Sequence, residues 1–228
     1  MSDDVGRGYF VTGTDTGVGK TLVACALLRA FASAGNSTVG MKPVAAGSEE
    51  GRWADVDALV AASTVEAPVS LVNPYAFDAA IAPHIAAELA GVAIEIDAIA
   101  RAYEDLSRRA DVVVVEGVGG FLVPLNGRAN GSDLARRLAL PVVLVVGMRL
   151  GCLNHALLTG AQVAASGLRC AGWVANCIAP RMPQLEANIR ALDDRLGCPL
   201  LGVVPFLREP HSENVAPLLR RHLIEAAA

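Results

Sequence analysis

Short apolar runs alternate with longer amphipathic stretches along the chain. Most of these runs show no alternation of apolar and polar residues, which is typical of strands in a parallel sheet that helices cover on both faces. Six runs are predicted as strands: Tyr9–Thr12, Thr38–Lys42, Val112–Glu116, Val142–Gly147, Gly172–Asn176 and Leu200–Val204. The pattern predicts an α/β fold with a doubly wound, mainly parallel sheet flanked by helices on both faces.

Helical periodicity fills the intervals between the strands. Apolar residues recur every three or four positions in 96–106 and 185–196, with charged residues on the opposite face, as in surface helices. The segment 21–34 is apolar almost all round, so we expect a buried helix there. The region 47–91 carries Asn-Pro and Ala-Pro steps, which are loop signals, and we expect irregular structure with short helical pieces that line a site.

Composition limits the class of protein. The chain has 228 residues, of which 53% are hydrophobic and 18% charged, and this suits one large buried core. No linker or repeat divides the sequence, so we predict a single domain over 1–228. The net charge is −4 without a run of Lys or Arg, and the apolar runs are too short to span a bilayer. Nucleic acid and membrane are therefore not expected as partners.

The cysteines and the first residues indicate the compartment. The five cysteines form no CxxC pair and no zinc-ligand spacing, so we interpret them as reduced thiols. The segment 1–8 is polar and acidic and lacks the order of a signal peptide. We expect a cytoplasmic protein.

The first predicted strand runs into a glycine-rich turn that opens the first predicted helix. The turn reads Gly13-Thr-Asp-Thr-Gly-Val-Gly-Lys-Thr, whereas the usual phosphate-binding loop is G-x-x-x-x-G-K-[ST]. Gly13 therefore stands one residue too early. In this context backbone N–H groups before the helix point at phosphate oxygens, Lys20 neutralises phosphate charge and Thr21 places its hydroxyl on Mg²⁺. The alternative is a turn that only joins strand to helix.

Two further polar residues stand at the ends of predicted strands. Glu116 follows four valines and precedes Gly-Val-Gly-Gly, and a carboxylate at such a strand tip holds Mg²⁺ in phosphate-loop proteins. A solvated surface glutamate is the alternative interpretation. Lys42 ends the second predicted strand, at the same ligand-binding edge, and from there it can reach a γ-phosphate. A lone lysine at a strand end is more often solvated.

Together these residues resemble the dethiobiotin synthetase family, ATP-dependent enzymes that close the ureido ring of dethiobiotin in biotin synthesis. The lengthened loop is similar to the family's own version. Other matching segments follow in family order between residues 9 and 207: Lys42-Pro-Val-Ala, Asp57-Ala-Leu, Asn73-Pro-Tyr, Pro83-His-Ile, Val115-Glu-Gly-Val-Gly-Gly, Leu150-Gly-Cys-Leu-Asn-His-Ala and Gly172-Trp-Val-Ala-Asn.

The resemblance implies a reaction, its substrates and an assembly. An amine of 7,8-diaminopelargonic acid takes up CO₂ as a carbamate, ATP phosphorylates the carbamate, and the second amine closes the ring with release of phosphate. Mg²⁺ is the implied cofactor, with bicarbonate as the source of CO₂. The resemblance also implies a homodimer whose substrate site borrows residues across the interface.

The resemblance also implies a role for individual residues of this chain. It assigns catalysis to Lys42 and Lys20, and the metal to Thr21, Asp57 and Glu116. The nucleotide is assigned to Gly17, Val18, Gly19, Lys20, Thr21, Leu22, Asp57, Glu116, Gly117, Val118, Gly119, Asn176, Cys177, Pro205, Phe206 and Leu207. The diamine substrate is assigned to Thr16, Lys42, Pro83, Val118, Gly119, Gly120, Leu150 and Asn154, of which the last two act across the dimer interface.

Some positions depart from the family's pattern or allow a second interpretation. Ala46 replaces a Ser or Thr, and Cys177 replaces an Asp that often follows the base-contacting Asn, so the preference for ATP over other nucleoside triphosphates stays open. The segment 150–156 is also consistent with a helix start capped by Asn154. We interpret His155 as a packed structural residue.

Proteins of other kinds share parts of this pattern. A phosphate-loop switch ATPase of the partition type usually carries a second lysine early in the loop, where this chain has Thr14, Asp15 and Thr16. Its membrane-cycling members end in a basic amphipathic helix, whereas we expect the segment 213–228 to form a helix packed on the body. An amide-forming synthetase of corrin synthesis needs a further glutamine-cleaving domain, for which 228 residues leave no room.

Overall fold

The apolar runs form a parallel sheet in the computed structural model, which describes residues 7–219. All six predicted strands are confirmed, with shifts of one or two residues at their ends. Eight strands are present in this part of the chain: β1 (Arg7–Gly13), β2 (Thr38–Met41), β3 (Val44–Ala46), β4 (Tyr75–Phe77), β5 (Val112–Glu116), β6 (Val142–Gly147), β7 (Cys170–Asn176) and β8 (Leu200–Val204). Six of them form the main sheet, in the order β2-β5-β1-β6-β7-β8.

Helices connect the strands of this sheet. Their bounds are α1 (Lys20–Ser33), α2 (Ala54–Ala62), α3 (Val69–Val72), α4 (Pro83–Leu89), α5 (Ile96–Ser107), α6 (Gly131–Leu138), α7 (Cys152–Ala165), α8 (Leu185–Leu196) and α9 (Ser212–Val215), followed by a 3-10 turn at Ala216–Leu218. Helix α6 was not predicted. It begins with a capping box, in which the side chain of Asn130 accepts from the N–H of Asp133 and that of Asp133 accepts from the N–H of Asn130.

The two faces of the sheet are both buried, as the uninterrupted apolar strands predict. In β1, Phe10 packs into one core cluster and its neighbour Val11 into another. The first cluster includes residues of α5 and α6, and the second is built around α1, whose side chains are buried almost all round. Because helices cover both faces, ligands can reach the sheet only along its edges and strand ends.

The region 47–91 is more regular than expected. It contains α2, α3, α4 and β4, and β4 pairs in parallel with β3 as a separate two-stranded sheet. The side chain of Asn73 donates to the backbone oxygens of Lys42 and Tyr75 and so ties the two segments together. Strands of three residues are too short to show a sequence pattern, which is why this sheet was not predicted.

Two other expectations concern the membrane and the last residues. Between residues 7 and 219, no helix is long and apolar enough to cross a membrane. The predicted helix over 213–228 is confirmed at its start, where Ser212–Val215 is helical, but the α-helix ends there and a 3-10 turn follows at Ala216–Leu218. Residues 220–228 lie outside the described residues. The five cysteines are free thiols, as predicted.

Candidate active site

The loop between β1 and α1 turns sharply at two glycines. Gly17 and Gly19 have φ values of 72° and 91°, in the left-handed region that favours glycine. Helix α1 begins directly after Gly19, and within residues 7–219 no side chain caps its first turn. The first N–H groups of α1 are therefore free to bind an anion, which the helix dipole also favours.

Lys20 is held over this loop by the loop's own backbone. Its Nζ donates a hydrogen bond to the carbonyl oxygen of Asp15 at 2.8 Å, and the side chain is buried. Burial lowers the pKa of Lys20 to about 8, and the positive charge of nearby Lys42 acts in the same direction. The lysine is thus an ammonium with little water around it, which strengthens its attraction to phosphate.

Glu116 is the centre of the charged part of the site. Its Oε1 accepts from Lys42 Nζ at 2.6 Å and from Thr21 Oγ1 at 2.9 Å. Its Oε2 is buried and has no hydrogen-bond partner among the described residues. Because a buried carboxylate oxygen without a partner is costly, this atom marks the position of a missing cation or donor.

Lys42 lies between two carboxylates. Its Nζ is 2.6 Å from Glu116 Oε1 and 2.9 Å from Asp55 Oδ2. Burial lowers the pKa of Lys42, but the two negative charges outweigh burial and hold the pKa above its usual value. Burial likewise raises the pKa of Asp55, and the charge of Lys42 outweighs it, so that this pKa lies below its usual range. Lys42 and Asp55 are therefore both charged near neutral pH.

Asp57, which the sequence assigned to the metal, does not join this group of charged side chains. The carboxylate of Asp57 pairs with Arg52 at 3.0 Å, and both side chains are exposed. Residues two apart on a helix point about 200° away from each other, so only one of Asp55 and Asp57 can face the site. The buried positions Leu59 and Ala62 lie on the same side of α2 as Asp55, and this spacing was the sequence signal that Asp55 faces the cavity.

Most of the predicted phosphate and substrate residues lie around one cavity of about 650 Å³. Its lining includes Thr16, Gly17, Gly19, Lys20, Thr21, Lys42, Pro83, Glu116, Val118 and Gly119, as expected from the sequence. Ala46, noted in the sequence as a departure from the family's pattern, also lines it, and sequence reasoning missed five others: Asp55, Ala80, Ile81, Ala82 and Val123. One part of the cavity is therefore charged and another apolar.

A second cavity, of about 230 Å³, adjoins the first at Gly17 and Gly19. Its lining includes the predicted nucleotide-binding residues Leu22, Asn176, Cys177, Pro205, Phe206 and Leu207, together with Ile178 and Pro210. The Asn176 amide donates to the backbone oxygen of Val18 at 2.8 Å, which fastens β7 to the phosphate loop. The predicted phosphate and base residues thus form one continuous groove.

Three predicted substrate residues line neither cavity. These are Gly120, which lies beside the end of β1, Leu150, which is exposed just before α7, and Asn154, which is exposed in the first turn of α7. Helix α7 begins at Cys152 after Gly151, so the interpretation of Asn154 as its cap is wrong. His155 is exposed, so the interpretation of this histidine as a packed structural residue is wrong.

The side chains around Glu116 suit a magnesium ion. Mg²⁺ prefers oxygen ligands in octahedral geometry and usually keeps waters or substrate phosphates in its coordination shell. Thr21, Asp55 and Glu116 offer a hydroxyl and two carboxylates. Among residues 7–219, no three His, Cys, Asp or Glu side chains are grouped to hold a metal, so a cation here depends on further ligands from a nucleotide.

Comparisons with solved structures agree with the fold. The MinD cell division protein of Aquifex aeolicus superposes with a TM-score of 0.60 at 16% identity, over 95% of this chain and 96% of that one. A ParA family ATPase from Chlorobium tepidum superposes with a TM-score of 0.59 at 12% identity, over 98% of both chains. At these identities the likeness concerns the phosphate-loop fold alone.

Sequence comparison is more specific. Residues 7–214 match the family described as an AAA domain. The ATP-dependent dethiobiotin synthetase of Nitrosospira multiformis is 54% identical over 215 residues, which is 94% of this chain and 95% of that protein. The dethiobiotin synthetase of Aromatoleum aromaticum is 53% identical over 218 residues, 94% of this chain and 97% of that protein. The chain therefore belongs to the ATP-dependent dethiobiotin synthetase family.

Proposed function

We propose that this ATP-dependent dethiobiotin synthetase of biotin biosynthesis closes the ureido ring in the larger cavity, in three steps. One amine of 7,8-diaminopelargonic acid attacks CO₂ and loses a proton to give a carbamate. The carbamate oxygen then takes the γ-phosphoryl group of ATP and releases ADP. The second amine attacks this mixed anhydride and expels phosphate, which leaves the cyclic urea. The convergence of Thr21, Lys42 and Glu116 beside the phosphate loop carries the proposal.

The phosphate loop and its neighbours bind the triphosphate and its metal. The first N–H groups of α1 and the ammonium of Lys20 hold phosphate oxygens, and Thr21, Asp55 and Glu116 hold Mg²⁺. A bound Mg²⁺ supplies positive charge that neutralises the β- and γ-phosphates during transfer. Asp55 takes the place of Asp57 in this proposal because it lies 2.9 Å from Lys42 and lines the cavity.

Lys42 and Lys20 provide the remaining positive charge of the reaction. Phosphoryl transfer depends mainly on positioning and on charge neutralisation at the transferring group. Lys42 lies next to the metal ligands and on the wall of the larger cavity, where it can stabilise the carbamate oxygen and the phosphoryl group. Lys20 approaches from the other end of the triphosphate, where it stabilises charge on the leaving ADP.

The diamine occupies the apolar part of the larger cavity. Ile81, Pro83 and Val123 provide an apolar wall for its hydrocarbon chain, and Thr16 and the backbone at Val118 and Gly119 provide polar contacts for its amines. Ala46 places a methyl group where relatives carry a hydroxyl, so this chain makes one fewer polar contact there. The cavity volume of about 650 Å³ suits a small acyclic substrate together with a triphosphate tail.

The smaller cavity holds the base of the nucleotide. The Asn176 amide nitrogen is engaged with Val18, so its carbonyl oxygen remains as an acceptor for an exocyclic amine such as that of adenine. Pro205, Phe206 and Leu207 provide apolar contacts to the base. Cys177 offers no carboxylate, and discrimination against other bases therefore depends on Asn176 and the backbone.

A second copy of the chain completes the substrate site in this proposal. Leu150 is 99% exposed, which is unusual for a leucine, and Asn154 lies on the same exposed segment. Neither residue reaches the cavities of its own chain. In a homodimer they contact the diamine bound to the partner, as the resemblance implies.

The test is whether ATP turnover depends on the diamine. The purified chain is given Mg²⁺, ATP and bicarbonate, and phosphate and dethiobiotin are measured with and without 7,8-diaminopelargonate. We expect phosphate release only with the diamine, and in equal amount to dethiobiotin. Turnover that ignores the diamine would contradict the proposal and favour a switch ATPase of the partition type.

A further inference from the structure

Lys42 occupies the place of a cation between the proposed metal ligands. Its Nζ contacts Asp55 Oδ2 at 2.9 Å and Glu116 Oε1 at 2.6 Å, and its side chain is 3% exposed. The same nitrogen lies 3.4 Å from the carbonyl oxygen of Gly117. The ammonium is thus surrounded by oxygen atoms on several sides, as a metal ion would be.

This arrangement leaves the proposed ligands only partly available to a metal. Glu116 Oε1 already accepts two hydrogen bonds, one from Lys42 and one from Thr21. Thr21 donates its proton to Glu116, and the lone pairs of its hydroxyl oxygen stay available to Mg²⁺. Glu116 Oε2 is open to a metal, but a metal that also takes Asp55 Oδ2 or Glu116 Oε1 must displace Lys42 from that oxygen.

The charges explain why the free chain adopts this arrangement. Two carboxylates so close together, one of them buried, repel each other strongly when nothing positive lies between them. The ammonium of Lys42 offsets that repulsion without a bound metal ion. Once Mg²⁺ arrives, the ammonium and the metal are like charges that compete for the same oxygen atoms.

We propose that Lys42 is an internal substitute for Mg²⁺, which keeps the metal site closed until the nucleotide brings the metal in and drives the ammonium toward the reacting groups. The inference rests on the proposed assignment of Mg²⁺ to Thr21, Asp55 and Glu116. It goes beyond a catalytic role for Lys42, because it fixes the order of events. The free enzyme binds divalent metal weakly, and metal binding and the placement of Lys42 are one event.

The direct test measures divalent metal binding without nucleotide. Mn²⁺ binding is followed by electron paramagnetic resonance of the free ion, in wild type and in Lys42→Met. We expect the dissociation constant to fall by about tenfold or more in the variant, since a like charge beside the cation is removed. Arg52→Met is the matched control, because it removes a positive charge from the exposed pair with Asp57, and its Mn²⁺ affinity should equal that of wild type.

A second variant covers the case in which Lys42→Met is poorly folded. Lys42→Met leaves two carboxylates without compensation, so its melting temperature in EDTA should be lower than that of wild type and should rise on addition of Mn²⁺. Lys42→Met combined with Glu116→Gln removes one negative charge as well, and this double variant should fold without metal and lose the gain in affinity. Equal affinity in wild type and Lys42→Met would overturn the inference.

The displacement can also be observed in the wild-type protein. Nitrogen-15 NMR of lysine ammonium groups detects a buried ammonium that exchanges slowly with water, and Lys42→Arg identifies the signal of Lys42. We expect this signal to shift or broaden with Mg²⁺ and ADP but not with ADP in EDTA. An unchanged signal would also overturn the inference. Neither result depends on catalysis, so failure here would leave the diamine-dependence test unaffected.

Discussion

The guanidinium of Arg149 lies 2.7 Å from the carboxylate of Asp15, and this ion pair joins the segment after β6 to the phosphate loop. The other carboxylate oxygen of Asp15 accepts from the N–H of Thr16 at 2.8 Å, and its backbone oxygen accepts from Lys20. Asp15 therefore links three parts of the site. It belongs to the stretch that makes this loop longer than the usual one.

We expect Arg149→Met to raise the KM for ATP by about threefold to tenfold with a smaller change in kcat, because the loop loses its anchor while the reacting groups remain. The melting temperature should hardly change, since exposed ion pairs contribute only about 0 to 1 kcal/mol to stability. Arg149→Lys should recover most of the affinity. Steady-state kinetics check this, and a wild-type KM in Arg149→Met would exclude the anchoring role.

The two aspartates of α2 give a second comparison. Asp55→Asn should lower kcat by about a hundredfold, because it removes charge from the group that pairs with Lys42 and that the proposal assigns to the metal. Asp57→Asn should retain activity within about twofold, as is usual for an exposed substitution away from a site. Activity at saturating ATP, measured over a range of Mg²⁺ concentrations, distinguishes the variants. If the activity of Asp57→Asn depended more strongly on the Mg²⁺ concentration than that of Asp55→Asn, Asp57 would be the metal ligand.

The glycines of the phosphate loop differ in the space around them. A Cβ on Gly19 would lie 2.2 Å from the amide nitrogen of Asn176, whereas a Cβ on Gly17 would meet no atom within 4 Å in the described part of the chain. Both alanine variants carry the strain of a left-handed backbone, about 1 to 3 kcal/mol. Gly19→Ala should be the less stable variant in urea unfolding and should also bind ATP more weakly. Equal stability of the two variants would argue against a rigid contact with Asn176.

The exposed leucine before α7 tests the assembly. Leu150→Glu should shift the chain from dimer to monomer in light scattering and should abolish dethiobiotin formation, because it places a charge where the proposal requires a buried contact. Leu89→Glu is the control, since Leu89 is 76% exposed but lies on α4, outside the segment 150–156. A fully active Leu150→Glu monomer would show that each chain holds a complete site.

The sequence was informative where a pattern extends over many residues. The six strands of the main sheet and the position of the phosphate loop follow from the apolar runs and their order along the chain. Lys42 and Glu116 come together because the carboxyl ends of parallel strands meet at the same edge of the sheet. Side-chain direction on α2 was not resolved, because Asp55 and Asp57 both stand near the start of a helix. The contact between Asn176 and the phosphate loop depends on residues far apart in sequence, which no local pattern reveals.

The position of β1 within the sheet divides the site into two halves that meet at the phosphate loop. The strands that carry Lys42 and Glu116, β2 and β5, lie on one side of β1, and the strands that lead to the base cavity, β7 and β8, lie on the other. Substitutions in the base half can therefore alter which nucleotide is accepted without touching the chemistry of ring closure. The preference for one nucleoside triphosphate over another can therefore change, in evolution or by engineering, through substitutions in the base cavity.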